Sequence, residues 1–168
     1  IGEVLDSIPH ELYVEPFLGS GAVWRAKGPS PNEVLNDKSC KRVNFAKRKT
    51  CSTQDLTKCE RLADAKITCG KDYKQISKAN DGRNTLHYLD PPYVSSAGKV
   101  YRALTYDKKD VPFAELVEFA RSLKGKVAVS YRDKPEFAKA LCKAPFRCQR
   151  ITKDVMGREY TEILAVKR

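Results

Sequence analysis

Short apolar runs at strand spacing alternate along the chain with segments whose apolar residues recur at helical spacing, so the sequence reads as a succession of β and α units. A short helix is expected near Glu3 to Ile8 and a strand at Leu12 to Phe17, with a glycine turn directly after it. Ala22 to Ala26 continues as a short helix, Gly28 to Asn32 breaks it, and Glu33 to Asn36 reads as a second strand with Asp37 at its carboxyl end. Ser39 is placed to cap a helix reaching about Lys49, with Val43 and Ala46 on its inner face. Asp55 to Asp64 reads as a further helix, Lys66 to Cys69 as a third strand and Thr85 to Leu89 as a fourth. That fourth strand runs into Asp90-Pro91-Pro92-Tyr93, where two prolines forbid further helix or ladder.

Beyond a polar loop, Val111 to Leu123 sets Phe113, Leu116, Val117, Ala120 and Leu123 at helical spacing. Lys126 to Tyr131 is a fifth strand, and Pro135 opens another helix. Phe146 to Thr152 and Glu159 to Val166 suggest an antiparallel hairpin turning at Met156 and Gly157. Alternating β and α segments imply an α/β fold, with a mostly parallel sheet covered on both faces and ending in that hairpin. The 168 residues fit one domain with a sizeable core, expected to span 1–168.

No apolar run approaches the ~20 residues of a membrane span. Ile1 to Pro9 has no basic region followed by an apolar stretch, so a secretory signal is not read there. The expectation is a soluble protein of the cytoplasm or nucleoid, neither secreted nor membrane-bound. Lys and Arg outnumber Asp and Glu by 32 to 21, a net charge of +11. That balance suits a polyanionic partner bound through phosphate contacts, or simply a basic solvated surface; charge alone does not decide between them.

Cys40, Cys51, Cys59, Cys69, Cys142 and Cys148 include no Cys-x-x-Cys pair, and only His10 and His87 add imidazole, so no metal site is expected. In a cytosolic enzyme these cysteines are expected as reduced thiols, although the four from position 40 to 69 lie close enough to permit a disulfide in a thermophilic host.

The glycine turn is Glu15-Pro16-Phe17-Leu18-Gly19-Ser20-Gly21. Glycines there let a ligand approach the backbone, or simply satisfy tight strand-to-helix geometry. Its spacing is neither the dinucleotide fingerprint nor a phosphate loop. Asp37 raises its value, because a carboxylate ending the second strand can grip a ribose diol through two charge-assisted hydrogen bonds. Together they describe a nucleoside pocket. Asp72 is placed to accept from an adenine amine with Tyr73 beside the ring, or else to cap a helix over Tyr73 to Lys78.

An exocyclic aryl amine is a poor nucleophile because its lone pair is delocalised into the ring. A carboxylate and a backbone carbonyl accepting its two protons draw the nitrogen toward tetrahedral geometry. Asp90 and the Pro91 carbonyl suit those roles; Pro91 and Pro92 fix the loop and remove competing donors, and Tyr93 is suited to stack on an extruded base. On these residues the chain resembles the Dam-type, alpha-group adenine-N6 DNA methyltransferases. The matching segments are Val14 to Gly21, Leu35-Asn36-Asp37 with Val43-Asn44-Phe45, Leu89 to Tyr93, Val129 to Asp133 and Arg158 to Leu164.

The resemblance implies a Rossmann-like methyltransferase fold that uses S-adenosyl-L-methionine and no metal. Glu15, Pro16, Phe17, Gly19, Gly21 and Asp37 would hold the cofactor, with Asp72 and Tyr73 flanking its adenine, and Asp90, Pro91, Pro92 and Tyr93 would form the catalytic segment on the target base. The family carries an aromatic-Ala-Gly-Gly-Lys segment ahead of its first helix, which would precede Ile1. It also usually inserts a target-recognition domain, where this chain has only the short basic interval 38–64. Arg42, Lys47, Arg48 and Lys49 in that interval suit phosphate contact better than base readout, or form a solvated helix face, so loose specificity or a helper protein supplying target recognition is expected. Lys99, Tyr101 and Arg102 are a further candidate nucleic-acid contact, as a lid or as plain surface loop. The alternatives to DNA are adenine in RNA, a glutamine side chain in protein, and a non-catalytic methyltransferase-like subunit that binds nucleic acid. Cytosine-C5 chemistry is disfavoured, since no Pro-Cys pair supplies its nucleophile.

Overall fold

Strand alternation assigns side chains to two faces of one sheet, and helices cover both. The computed structural model describes residues 1–52, 55–92, 111–155 and 158–168. Tyr93, Lys99, Tyr101, Arg102 and the Met156-Gly157 turn lie outside the described residues. The chain runs α1 (Gly2–Asp6), β1 (Leu12–Glu15), α2 (Ala22–Ala26), β2 (Asn32–Asp37), α3 (Cys40–Cys51), α4 (Leu56–Asp64), β3 (Lys66–Cys69), α5 (Tyr73–Ala79) and β4 (Thr85–Leu89). It continues through α6 (Phe113–Ser122), β5 (Lys126–Arg132), α7 (Pro135–Leu141), β6 (Arg147–Val155) and β7 (Arg158–Lys167). The expected elements are all present, with ends shifted by a few residues: β1 stops at Glu15 because the turn's backbone leaves the ladder there.

The described residues form a seven-stranded sheet in the order β3-β2-β1-β4-β5-β7-β6. The first five strands are parallel; β7 pairs antiparallel with both β5 and β6. Leu5, Ile8, Tyr13, Trp24, Leu35, Ala46, Leu62, Leu86 and Tyr88 pack on the face carrying α1 to α4. Phe17, Tyr73, Leu89, Leu116, Phe119, Val127, Val129 and Leu141 pack on the face carrying α5 to α7. Each sequence pattern thus meets its partner: in α3, Val43, Ala46 and Thr50 are buried at helical spacing while the lysines between them are exposed.

The interval 38–64 holds α3 and α4. Asp55 caps α4 by accepting from the Lys58 backbone N–H, as its position before the apolar run implies. Glu33 is a buried tie beneath this pair: it accepts from Arg61 at 2.6 and 2.9 Å and from the Trp24 indole at 2.7 Å. Among the described residues, no helix is long and apolar enough to cross a membrane.

The expectation of reduced thiols is corrected by the fold. Cys40 pairs with Cys69, Cys51 with Cys59 and Cys142 with Cys148, leaving no free cysteine. Strand register explains the long-range pair: Asp37 of β2 lies opposite Cys69 of β3, and α3 starts three residues later at Cys40, so the two Cα atoms are 5.0 Å apart. Sequence spacing alone did not reveal this, nor the short Cys142–Cys148 loop between α7 and β6. Such density of bridges is characteristic of oxidising compartments and of hyperthermophile cells.

Opening the 29-residue Cys40–Cys69 separation is expected to cost about 3–4 kcal/mol by loop-closure entropy, a fall in thermal midpoint on the order of 10 °C. Scanning calorimetry on Cys40→Ser/Cys69→Ser checks this; an unchanged midpoint would show that the bridge carries no stability.

Candidate active site

The order of the sheet reverses between β1 and β4, so the connections leaving these adjacent strands travel in opposite directions and leave a crevice at their carboxyl ends. The glycine turn follows β1 and the Asp90 segment follows β4. A cavity of about 270 Å³ lies between them, lined on one side by Glu15, Phe17 and Gly19 and on the other by Asp90, Pro91 and Pro92, with Asp37 and Arg42 between. The fold therefore brings these eight of the positions singled out from sequence together. Pro16 is buried behind the turn, and Gly21 opens α2.

The turn is held by its neighbours. Gly19 and Gly21 have φ of 56° and 71°, a region that penalises side chains. A Cβ on Gly21 would come within 3.1 Å of the Arg25 guanidinium, which braces the turn by donating to the Ser20 carbonyl at 2.7 Å. Asp37 is 1% exposed, and its two oxygens accept from the Gly19 and Ser39 backbone N–H groups, each at 2.8 Å. The carboxylate is thus fixed beside the turn by two backbone donors.

Asn36, which stands in the Leu35-Asn36-Asp37 segment with no role of its own assigned, is the hub of these connections. Its amide donates to the Pro16 and Lys71 carbonyls at 3.3 and 3.0 Å and accepts from Thr68 at 2.9 Å. Its backbone carbonyl accepts from Leu18 N–H at 2.8 Å. One fully buried side chain therefore ties the segments after β1 and β3 to β2. The only sequence signal was a polar residue inside an apolar strand.

Asp72 and Tyr73 are placed differently from the nucleoside-pocket expectation. Asp72 accepts from Lys74 N–H at 2.9 Å and forms a capping box with Gln75, which is the helix-cap alternative. Tyr73 is buried, its ring 5.0 Å from Phe17 and 5.2 Å from Phe119. Neither residue lines the cavity. Of the basic residues on α3, Arg42 turns into the cavity rim, whereas Lys47, Arg48 and Lys49 are exposed along the following turns. At 1.5 Å per residue, Lys49 is about 10 Å farther along the helix.

Glu15 is the electrostatic outlier. It is 2% exposed and accepts from the Tyr13 hydroxyl at 2.8 Å. Burial, followed by the nearby negative charges of Asp90 and Glu33, pushes its carboxyl from 4.5 up to about 8 despite that hydrogen bond. His87, buried on β4 and 3.3 Å from Asp81, is driven the other way by burial, to about 4, and is neutral at pH 7.

A larger cavity, about 960 Å³, lies at the opposite, amino ends of β1 to β4. Its buried carboxylate, Glu33, is already paired with Arg61, and parallel sheets present ligands at their carboxyl ends. The reversal crevice is therefore the candidate site.

The architecture is that of S-adenosylmethionine-dependent methyltransferases. Solved structures with this fold include an rRNA methylase from Streptococcus thermophilus, 8% identical with a TM-score of 0.59 over 99% of this chain and 93% of that one. A SAM-dependent methyltransferase from Agrobacterium tumefaciens is 12% identical, with a TM-score of 0.60 over 99% of this chain and 59% of that one. Magnesium protoporphyrin IX methyltransferase from Synechocystis, solved with bound SAM, is 14% identical with a TM-score of 0.55 over 99% and 79%. No curated protein matches the sequence. Within this class the chain belongs to the D12 class N6 adenine-specific DNA methyltransferase family, whose model matches residues 57–156.

Because the folded Glu15 holds its proton up to about pH 8 while an unfolded glutamate ionises near 4.5, its burial costs stability that grows as pH rises through that window. Glu15→Gln is therefore expected to raise the thermal midpoint of the ligand-free protein above about pH 8 and to do progressively less toward about pH 5. A pH series of melts checks this, and a gain largest at low pH would reverse the assigned charge state.

Proposed function

We propose that the chain transfers the methyl group of S-adenosylmethionine to the exocyclic N6 amine of adenine in DNA. The observation that carries this reading is the meeting of Asp90-Pro91-Pro92 with the glycine turn and Asp37 in one crevice. Membership of the N6-adenine DNA methyltransferase family supports the choice of base and of nucleic acid, as does the net charge of +11.

The residues present fit the cofactor. Gly19 leaves its side of the cavity open, Asp37 offers a carboxylate oriented by two backbone donors, and Glu15 offers a buried carboxyl toward a cation. S-adenosylmethionine, when bound, supplies an electrophilic methyl on a sulfonium. Asp90 accepts one proton of the target amine and the Pro91 carbonyl accepts the other, so the nitrogen lone pair is freed from the ring and aimed into the cavity. Phe17 and the two prolines exclude water from the point of transfer. Tyr93 stacks on the extruded base, offsetting part of the cost of unstacking it.

Arg42, Lys47, Arg48, Lys49, Lys99, Tyr101 and Arg102 remain the proposed nucleic-acid contacts. Arg42 has a second role at the cofactor rim. With α3 and α4 filling the interval 38–64, base readout is assigned to a partner protein or is loose. The adjacent Cys40–Cys69 bridge and the Asn36 hub hold the cofactor side of the site rigid.

The test is incubation with labelled S-adenosylmethionine and, in parallel, double-stranded DNA, single-stranded DNA, RNA and protein. Label at adenine N6 in DNA is expected, and Asp90→Ala is expected to reduce it by at least about 10²-fold. Label in RNA alone would change the substrate. Label in nothing, with cofactor bound, would leave a non-catalytic subunit.

A further inference from the structure

Three carboxylates, Glu15, Asp37 and Asp90, line the small crevice, and Glu15 differs from the others in its electrostatic setting. It is 2% exposed, is held at one oxygen by the Tyr13 hydroxyl at 2.8 Å, and among the described residues has no cation within ion-pair distance. The nearby cations are committed elsewhere. Arg25 donates to the Ser20 carbonyl at 2.7 Å. Lys27 donates to the Gly28 carbonyl and the Ser30 hydroxyl at 2.7 and 2.6 Å and lies over the Tyr13 ring. Arg42 stands across the cavity beside Gly19.

From β1, β2 and β4 the groups that face Glu15 are Tyr13, Glu33 and Asp90, all neutral or negative. Its own strand and both neighbouring strands thus disfavour its charge, and the attractions of Lys27 and of Arg25 on α2 do not reverse this. Yet the carboxyl faces a cavity in which the chemistry places a positive charge next to Asp90. A buried anion with no cation in ion-pair contact and no backbone donor is costly, and persists where a ligand supplies the counter-charge.

Resting on the reading of this crevice as the S-adenosylmethionine site, we propose that Glu15 is the group that tells cofactor from spent product, by giving up its proton to face the sulfonium and taking one back when the thioether replaces it. The proton count closes over one turn. Binding of the sulfonium releases one proton from Glu15. In transfer, the amine nitrogen forms a bond to the methyl carbon, the sulfur keeps the electron pair of the broken bond, and the amine loses one proton. Glu15 then takes up one proton, so the cycle as a whole releases one, as the transfer reaction requires. With the thioether bound, ionised Glu15 would face no counter-charge, and reprotonation leaves a neutral site with no hold on the product's sulfur.

The sign follows from linkage. A carboxyl that holds its proton up to about pH 8 in the free protein and ionises in the complex makes binding tighter as pH rises toward that value. S-adenosylmethionine affinity is therefore expected to rise by up to about tenfold per pH unit between about pH 6 and about pH 7.5, below the titration of the cofactor's own amine. S-adenosylhomocysteine affinity stays flat over the same interval.

Isothermal titration calorimetry of the intact chain with each compound, in buffers of differing ionisation enthalpy, reads both the slope and the proton released. The expected result is close to one proton released for S-adenosylmethionine near pH 7, none for S-adenosylhomocysteine, and loss of the slope in Glu15→Gln. Equal slopes for the two compounds would assign the counter-charge to the ammonium they share and overturn the proposal, as would a flat curve for S-adenosylmethionine. The wild-type comparison stands whether or not the variant folds. Binding of both compounds without a difference sinks this inference alone, whereas binding of neither sinks the cofactor reading beneath it.

Discussion

Reversal of strand order between β1 and β4 is the constraint on which the site depends. In a parallel sheet whose connections all wind one way, successive loops cover one another. Where the winding changes direction, two neighbouring strands send their loops apart and a gap is left between them. Here one side of that gap receives a turn whose glycines admit a ligand to the backbone, and the other receives a carboxylate followed by two prolines. Neither motif is a site on its own; the topology makes them one.

The polar residues buried around the gap hold it open. Asn36 binds the segments that follow β1 and β3, Asp37 fixes the turn through the Gly19 amide, and the Cys40–Cys69 bridge ties the start of α3 to the end of β3. These are short, directional contacts made by residues adjacent in sequence to one strand end. Rigidity there matters because the proposed chemistry turns on aiming a lone pair, and small displacements of a positioning carboxylate weaken such alignment steeply. Glu15 stands apart: burial, with Asp90 and Glu33 nearby, disfavours its charge in the empty site.

Much of this was legible in the sequence. Asp90-Pro91-Pro92 was readable because two prolines end a strand whatever surrounds them, and the βα alternation was readable because strand and helix spacings differ. Glu15, Gly19 and Asp37 were readable as a set once the order of elements was known. Asp72 was ambiguous, since a carboxylate before a helix serves equally as cap and as ligand, and the cap is what the structure uses. Tyr73 followed the helical register into the core beside Phe17. The role of Asn36 and the three cysteine pairings depend on which strands are neighbours, and pairing at separations such as the 29 residues from Cys40 to Cys69 leaves no local trace.

A crystal structure of the chain with S-adenosylmethionine bound tests whether the gap between β1 and β4 is where cofactor and target amine meet. Density is expected between the Gly19 turn and Asp90, with the ribose on Asp37 and the sulfonium facing Glu15. Density instead in the larger cavity at the amino ends of the strands, beside Arg61 and Arg83, would contradict it.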